Sequence, residues 1–321
     1  MDQLFDQYAK NLVFLATCMT CNFVDARTTS KDHVRAISKQ YSELKTPRRT
    51  LGGFLVSTCL RHELYCCNRT QLHSEQYFFA SGAVCIRRLL LILAGLQSEI
   101  VGEQEILAQV TRSIKDARRD NFLDEEVFSN LQALLLLSRH IRKLAEINSN
   151  ENYSTIGADI VTEHLAIKAD AVVAILGGGY MAQKFFGSLL QGKQAKIKKI
   201  IWINRTTRKV IKSLGELLDL LEVEIEVLNL EEGRHALNEA DVIFCALANS
   251  PSHYSGIEQK SGTFVVDVSY PPIFKEIRAE RLVNISNTRF DHLVRYPVPK
   301  ANITHATSEI DKVVGLLERI V

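Results

Sequence analysis

From Ala171 onward the chain alternates short apolar runs with longer amphipathic stretches. Ala171–Leu176, Lys199–Ile203, Val223–Leu228, Asp241–Cys245 and Thr263–Asp267 read as buried strands. Helices are expected after the first run, to Leu190, and over Thr206–Leu221. That alternation predicts a doubly wound unit with a parallel sheet. The first half follows another order. Asn11–Thr17, Leu51–Val56 and the stretch from Leu64 read as strands. Ser30 can cap a helix carrying Val34, Ile37 and Tyr41, and two more helices are expected over Gln76–Ala94 and Glu103–Arg119, with Gly95 and Gly102 bracketing their link. The β-α-β-β-α order predicts a ferredoxin-like α+β unit, so the chain as a whole is α/β.

Asp124 can cap a long helix over Glu125–Ile147, with Leu131, Leu134, Leu135, Leu137 and Ile141 on a broad apolar face. The polar stretch Asn148–Ser154 is the clearest linker, and Ile156–Ile167 reads as a helix leading into the second unit. The expected domains are therefore 1–150, 151–300 and a C-terminal helix within 301–321. Ser308 is the expected cap of that helix. Its stripe of Val313, Leu316, Leu317 and Ile320 is expected to pack back on the second domain, the alternative being a short helix-pair dimer.

The chain has 321 residues, with 39 Lys and Arg against 37 Asp and Glu. Such a balance provides no global basic field, so any nucleic-acid binding must use local patches. Lys45–Arg49, Arg118–Arg119 and Arg139–Lys143 are the candidates, against the bland reading of solvated faces. No apolar stretch is long enough to span a membrane, and the N-terminus has neither the basic start nor the apolar core of a signal peptide. Seven cysteines at irregular spacing predict a reducing, cytoplasmic location. Cys18 and Cys21 form a C-x-x-C pair and Cys66 and Cys67 are adjacent. Together they make a weak zinc pattern, because the second pair lacks a spacer.

Cys59 stands in a polar turn between two apolar runs, with Arg61 and His62 close by. Neighbouring cations raise a thiol's thiolate fraction, so Cys59 is a candidate nucleophile; the competing reading is a packed core thiol. Gly177, Gly178 and Gly179 follow a strand and open a helix, with Tyr180, Met181 and Ala182 next in line. That placement suits a dinucleotide pyrophosphate. Asn204, Arg205 and Thr206 end the second strand where an NAD site usually carries an acid. A guanidinium there suits a 2′-phosphate, so NADPH is the expected cofactor.

Ser57–Cys66, Gly95–Val110 and Leu176–Ala182 with Ile203–Thr206, in this order, resemble the glutamyl-tRNA reductase family. The resemblance covers about residues 50–300. The family pattern at the nucleophile is Ser-Thr-Cys-Asn-Arg-Thr-Glu; here Leu60 and His62 replace the Asn and the second Thr. The resemblance implies that Cys59 attacks the ester of glutamyl-tRNA, and that NADPH reduces the thioester to glutamate 1-semialdehyde, beginning porphyrin and heme biosynthesis. It implies that Thr58, Leu60, Arg61, Ser98, Glu103, Gln104, Glu105 and Gln109 line the glutamyl pocket, with Arg61 on the substrate carboxylate. The downstream glutamate-1-semialdehyde aminomutase is the protein partner it suggests. A functional family His lies ten residues before the Ser of Gly-Leu-Asp-Ser; here that position is Arg88, or Arg87 if the helix is shifted. His62 is the candidate to take its proton-transfer duty. The family's spinal helix and dimerisation domain would follow where this sequence stops, so the family dimer is not expected. Two rivals remain: a shikimate-type dehydrogenase, which shares Asn-Arg-Thr but would need an Asn-Val-Thr motif that this chain lacks, and a degenerate homologue that binds tRNA or NADP without turnover.

Overall fold

The structure, a computed structural model, describes residues 2–25, 52–58, 61–67, 78–149, 151–191, 197–215, 223–247, 260–269, 272–274, 281–284 and 298–321. The helix expected behind Ser30, the Lys45–Arg49 cluster, Cys59 and Leu60 lie outside these residues. The chain divides into two units, residues 1–150 with 296–321, and residues 151–295.

In the first unit, α1 (Asp2–Cys18) leads into β1 (Thr20–Asp25), followed by β2 (Gly53–Ser57), β3 (Arg61–Cys66) and β4 (Phe78–Ser81). All pairings are antiparallel in the order β2-β3-β1-β4, as a ferredoxin-like sheet requires. Gly53 faces the carbonyl of Tyr65, 2.2 Å from where a Cβ would stand, so the two strands meet at a distance only glycine permits. Four helices follow: α2 (Gly82–Leu93), α3 (Glu105–Arg119), α4 (Glu125–Leu144) and, from the chain's end, α9 (Lys300–Ile320). α3 packs on β2, while α1, α2, α4 and α9 pack on one another around Leu12, Leu15, Leu89, Leu134, Val313 and Leu317.

Four expectations are corrected here. Asn11–Thr17 is helix, because Tyr8, Leu12, Leu15 and Met19 are buried at helical spacing. The segment from Phe78 to Ser81 is a strand, and Gly82 at φ +60° turns the chain into α2. The last helix begins at Lys300 behind Pro299, with Ser308 in its interior, since proline presets the backbone for a first turn. Its stripe packs on α1, α2 and α4 of the first unit, not on the second unit. Val313 and Leu317 are fully buried there, so that stripe is not free to pair two copies.

The second unit opens with α5 (Tyr153–Leu165), whose start is fixed by a capping box between Asn152 and Thr155. Six parallel strands follow: β5 (Ala171–Leu176), β6 (Ile197–Ile203), β7 (Glu224–Leu228), β8 (Val242–Cys245), β9 (Phe264–Asp267) and β10 (Leu282–Asn284). Between them run α6 (Tyr180–Gln191), α7 (Thr207–Leu214) and α8 (Leu230–Ala236). The sheet order is β10-β9-β8-β5-β6-β7. The order reverses between β5 and β8, the place where doubly wound sheets open a crevice for a ligand. Among the described residues no helix is long and apolar enough to cross a membrane.

Candidate functional site

The first unit's site grows from β3. Every residue of Arg61–Cys66 is buried, which includes one carboxylate. Glu63 is fully enclosed. Arg88 of α2 grips it with both arms of its fork, Nε donating to Oε2 at 3.1 Å and Nη2 to Oε1 at 2.8 Å. Tyr65 Oη donates to Oε2 at 2.7 Å. Arg88 also lies over the Phe23 ring, 3.4 Å from its centroid. Arg87, its neighbour, faces outward to Asp311. Of the two positions that the sequence left open, Arg88 faces inward and Arg87 outward.

Arg61 forms the second half of this cluster. Its Nη2 donates to the carbonyl of Gln97, and its Nη1 stands 3.5 Å from Glu63 Oε1. That Nη1 is buried and, among the described residues, makes no hydrogen bond. Arg61 and Arg88 bring two guanidiniums to the one carboxylate of Glu63, leaving an excess positive charge that only the nearby Glu103, when ionised, offsets. Such a charge calls for an anion. The expected substrate-carboxylate partner is therefore a residue with a spare, directed donor.

Arg61 and His62 lie on β3 itself rather than in the turn. Thr58 N–H donates to the Arg61 carbonyl at 2.9 Å, so Thr58 and Arg61 fix where the chain enters and leaves the Cys59–Leu60 pair. His62 is buried, with Nδ1 and Ser57 Oγ 2.8 Å apart. Burial lowers its pKa to about 4, so its imidazole is neutral near pH 7.

Across from β3, residues 94–104 carry Ser98 and Glu103. Gly95 at φ +75° and Gly102 at φ +82° let this segment fold tightly, with Gly102 N–H donating to Gly95 O at 3.0 Å. Arg142 of α4 pins it from behind, Nη1 to Ala94 O at 2.8 Å and Nη2 to Gly102 O at 2.7 Å. Arg142 is buried and committed to these carbonyls, so it cannot belong to a solvent-facing basic patch. Burial raises the Glu103 pKa to about 7, against the pull of a Ser98 hydrogen bond and the Arg61 charge. Arg61, Ser98 and Glu103 are thus brought together.

Glu103 yields a pH prediction. The folded chain holds this proton more tightly than the unfolded chain does. Its contribution to stability is fully present below the unfolded value of 4.5 and is lost as pH rises through about 7. Glu103→Gln is expected to flatten the fall in thermal midpoint over that window; melts across the range check it.

The other expected pocket residues divide. Gln109 Nε2 donates to Glu105 Oε1 at 3.5 Å, and Gln109 shares a groove of about 300 Å³ with Ser57 and Val56. Gln104 faces a different groove, beside Arg112, Lys115 and Arg139. Sequence reasoning missed Glu63 and Arg142. For Arg142 the legible signal was a charged residue on an otherwise apolar helix face, whereas Glu63 stands in a strand that also carries Arg61 and His62.

The glycine turn of the second unit has the shape a dinucleotide needs. Gly177 sits at φ +116°, and a Cβ there would meet the Ala246 carbonyl at 2.5 Å. Gly178 presses on Asn204, which would lie 2.5 Å from a Cβ, while Gly179 has nothing within 4 Å. Open space at Gly179, before the first turn of α6, lets a phosphate reach backbone N–H groups. Ala182 is buried and Tyr180 is exposed. Met181 accepts a hydrogen bond from Ser154 Oγ at 3.4 Å. Asn204 Nδ2 donates to Thr206 O at 2.9 Å, which shapes the turn that carries the exposed Arg205. These residues fit a nucleotide cofactor. Among the described residues no group of three or more His, Cys, Asp or Glu stands where it could hold a metal ion.

Comparison with known proteins gives two family matches. Residues 20–144 match "Glutamyl-tRNAGlu reductase, N-terminal domain", and residues 159–294 match "Shikimate / quinate 5-dehydrogenase". The glutamyl-tRNA reductase of Aeropyrum pernix is 26% identical over 275 residues, 79% of this chain and 64% of the relative. That of Halobacterium salinarum is 29% identical over 242 residues, 68% of this chain and 52% of the relative. The chain therefore spans between half and two thirds of these relatives' length. A solved glutamyl-tRNA reductase from Methanopyrus kandleri has a TM-score of 0.44 at 19% identity, covering 94% of this chain and 78% of that one. The chain is thus similar to glutamyl-tRNA reductases along both halves, with the reductase's own N-terminal domain matched, a dehydrogenase domain behind it, and relatives aligned across both.

Proposed function

We propose that this chain reduces glutamyl-tRNA to glutamate 1-semialdehyde, with NADPH as reductant and Cys59 as nucleophile. The observation that carries the reading is the buried, unsatisfied Nη1 of Arg61, set beside Ser98 and Glu103. It supports a site for a small carboxylate held next to the Thr58–Arg61 turn. In the first step the Cys59 sulfur bonds to the glutamyl carbonyl carbon, the ester C–O bond breaks, and the ribose oxygen leaves with a proton. Glu103, whose carboxyl titrates near neutrality, is the described group best matched to that proton transfer. His62 is too weak a base for the duty near pH 7. Arg61 orients the substrate through its side-chain carboxylate. Bound NADPH supplies the hydride that reduces the thioester carbonyl; the C–S bond then breaks and the thiolate is restored. Gly177–Gly179 and the start of α6 hold the pyrophosphate, and Arg205 reads the 2′-phosphate.

A single-turnover reaction of the pure chain with charged tRNA and NADPH tests this reading. Semialdehyde formed at one equivalent supports it, and tRNA bound without product would instead favour the non-catalytic homologue. For the cofactor, Arg205→Asp removes a phosphate partner and adds repulsion. It is expected to weaken NADPH by roughly 2 kcal/mol while sparing NADH. Fluorescence titration of both nucleotides measures this, and equal affinities in the unaltered chain would contradict it.

A further inference from the structure

Between α3 and α4 lies a groove of about 470 Å³, lined by Gln104, Leu107, Thr111, Arg112, Lys115 and Arg139 among others. Its three cations have no acidic neighbour in the groove wall. The contrast with the rest of these helices is sharp. Arg118 is paired with Glu125, and Arg119 with Asp116 and Asp120. Arg142 is spent on backbone carbonyls. Among the described residues no ion pair engages Arg112, Lys115 or Arg139, and all three are exposed. Three like charges gathered around one groove cost stability through mutual repulsion unless an anion is their partner.

The groove has a direction. It starts at Gln104, one residue from Glu103 of the candidate glutamyl pocket, and reaches Lys115, about 16 Å further along α3 at the helical rise. A substrate whose ester lies in that pocket must run its next few nucleotides away along the surface. The floor of Leu107, Ala108 and Thr111 is neutral, so the charges stand at the rim, where phosphates pass. Arginine forks suit phosphate oxygens in particular.

We infer that this groove docks the phosphodiester backbone of the single-stranded 3′ end of tRNA. The inference rests on the function proposed above. It assigns the acceptor-end contact to Arg112, Lys115 and Arg139, of which only Arg139 belongs to a basic run legible in the sequence.

The test is fluorescence anisotropy of the full chain with a labelled acceptor-stem hairpin, with and without its single-stranded 3′ nucleotides. Contacts to single-stranded phosphates change log K against log salt by about 0.7 each. The triple variant R112A/K115A/R139A should therefore lose about 2 from the slope. Its deficit relative to the unaltered chain should shrink roughly twentyfold between about 50 and about 200 mM salt. Lysine in place of both arginines should keep most of the slope, and R118A/R119A should leave it unchanged. On the trimmed hairpin the triple variant and the unaltered chain should bind alike. An unchanged slope on the full hairpin, with binding intact, overturns the groove assignment alone. So does an equal loss on the trimmed hairpin. Failure of the unaltered chain to bind either hairpin at low salt overturns the tRNA reading itself. A thermal melt of the triple variant guards the comparison: with three exposed, mutually repelling charges removed, the midpoint should hold or rise.

Discussion

Glu63→Ala is expected to destabilise the first unit by about 3–5 kcal/mol, the cost of breaking a buried ion pair by removing one partner. The size follows from what is left behind. Arg88 loses both acceptors of its fork, Tyr65 loses the acceptor of its hydroxyl, and the buried Arg61 and part-buried Arg88 guanidiniums are left without the carboxylate between them. Glu63→Gln should cost less, because an amide oxygen still accepts from Arg88 and Tyr65 while the charge is gone. The pairing can be separated from general packing by a double-mutant cycle. Arg88→Leu in the Glu63→Ala background should cost far less than Arg88→Leu alone, since the partner it would abandon is already absent. Urea unfolding of the four proteins measures this. Additive losses would show that the two residues do not depend on each other.

Cys59→Ala is expected to lower the single-turnover rate by on the order of a thousandfold or more, as loss of a covalent nucleophile does. Five of the other six thiols are held protonated. Burial pushes Cys66 up to about 11, and Cys21, Cys85 and Cys245 are likewise raised by burial. Cys67 is raised by its hydrogen bond with Cys18 and by burial. Protonated thiols are poor nucleophiles near neutral pH. Cys66→Ser and Cys67→Ser should accordingly retain most activity, with mass spectrometry of the trapped glutamyl adduct locating the reacting sulfur. An adduct on any other cysteine sinks the assignment.

The second unit was legible in the sequence because parallel strands buried on both faces appear as unbroken apolar runs, and Ala171–Leu176 matches its strand residue for residue. The first unit was harder. Asn11–Thr17 is an apolar run too short to separate strand from helix by itself. The deciding residues were Tyr8 and Met19, outside the run, which complete the helical stripe. The turn to α2 was marked by Gly82, which ends a strand and not a loop. In the site, Arg61, Ser98 and Glu103 could be named from motif alone. Glu63 could not, since its importance comes from Arg88 arriving from a helix distant in sequence. The same holds for Arg142, whose acceptors lie some forty residues upstream. Arg112, Lys115 and Arg139 are scattered in the chain and meet only when α3 packs on α4. The units themselves divide at residue 150, while the last helix joins the first unit rather than standing apart.

That last helix sets an order for synthesis. A ribosome completes residues 151–295 before the first unit has received α9. In that interval, the faces of α1, α2 and α4 that α9 will cover have only water or a chaperone against them. The second unit can therefore mature while its predecessor is still an open shell. Ile310, Val313 and Leu317 then arrive together, on the face of one preorganised helix, and close it. Closure of the first unit therefore waits on residues made after the whole of the second.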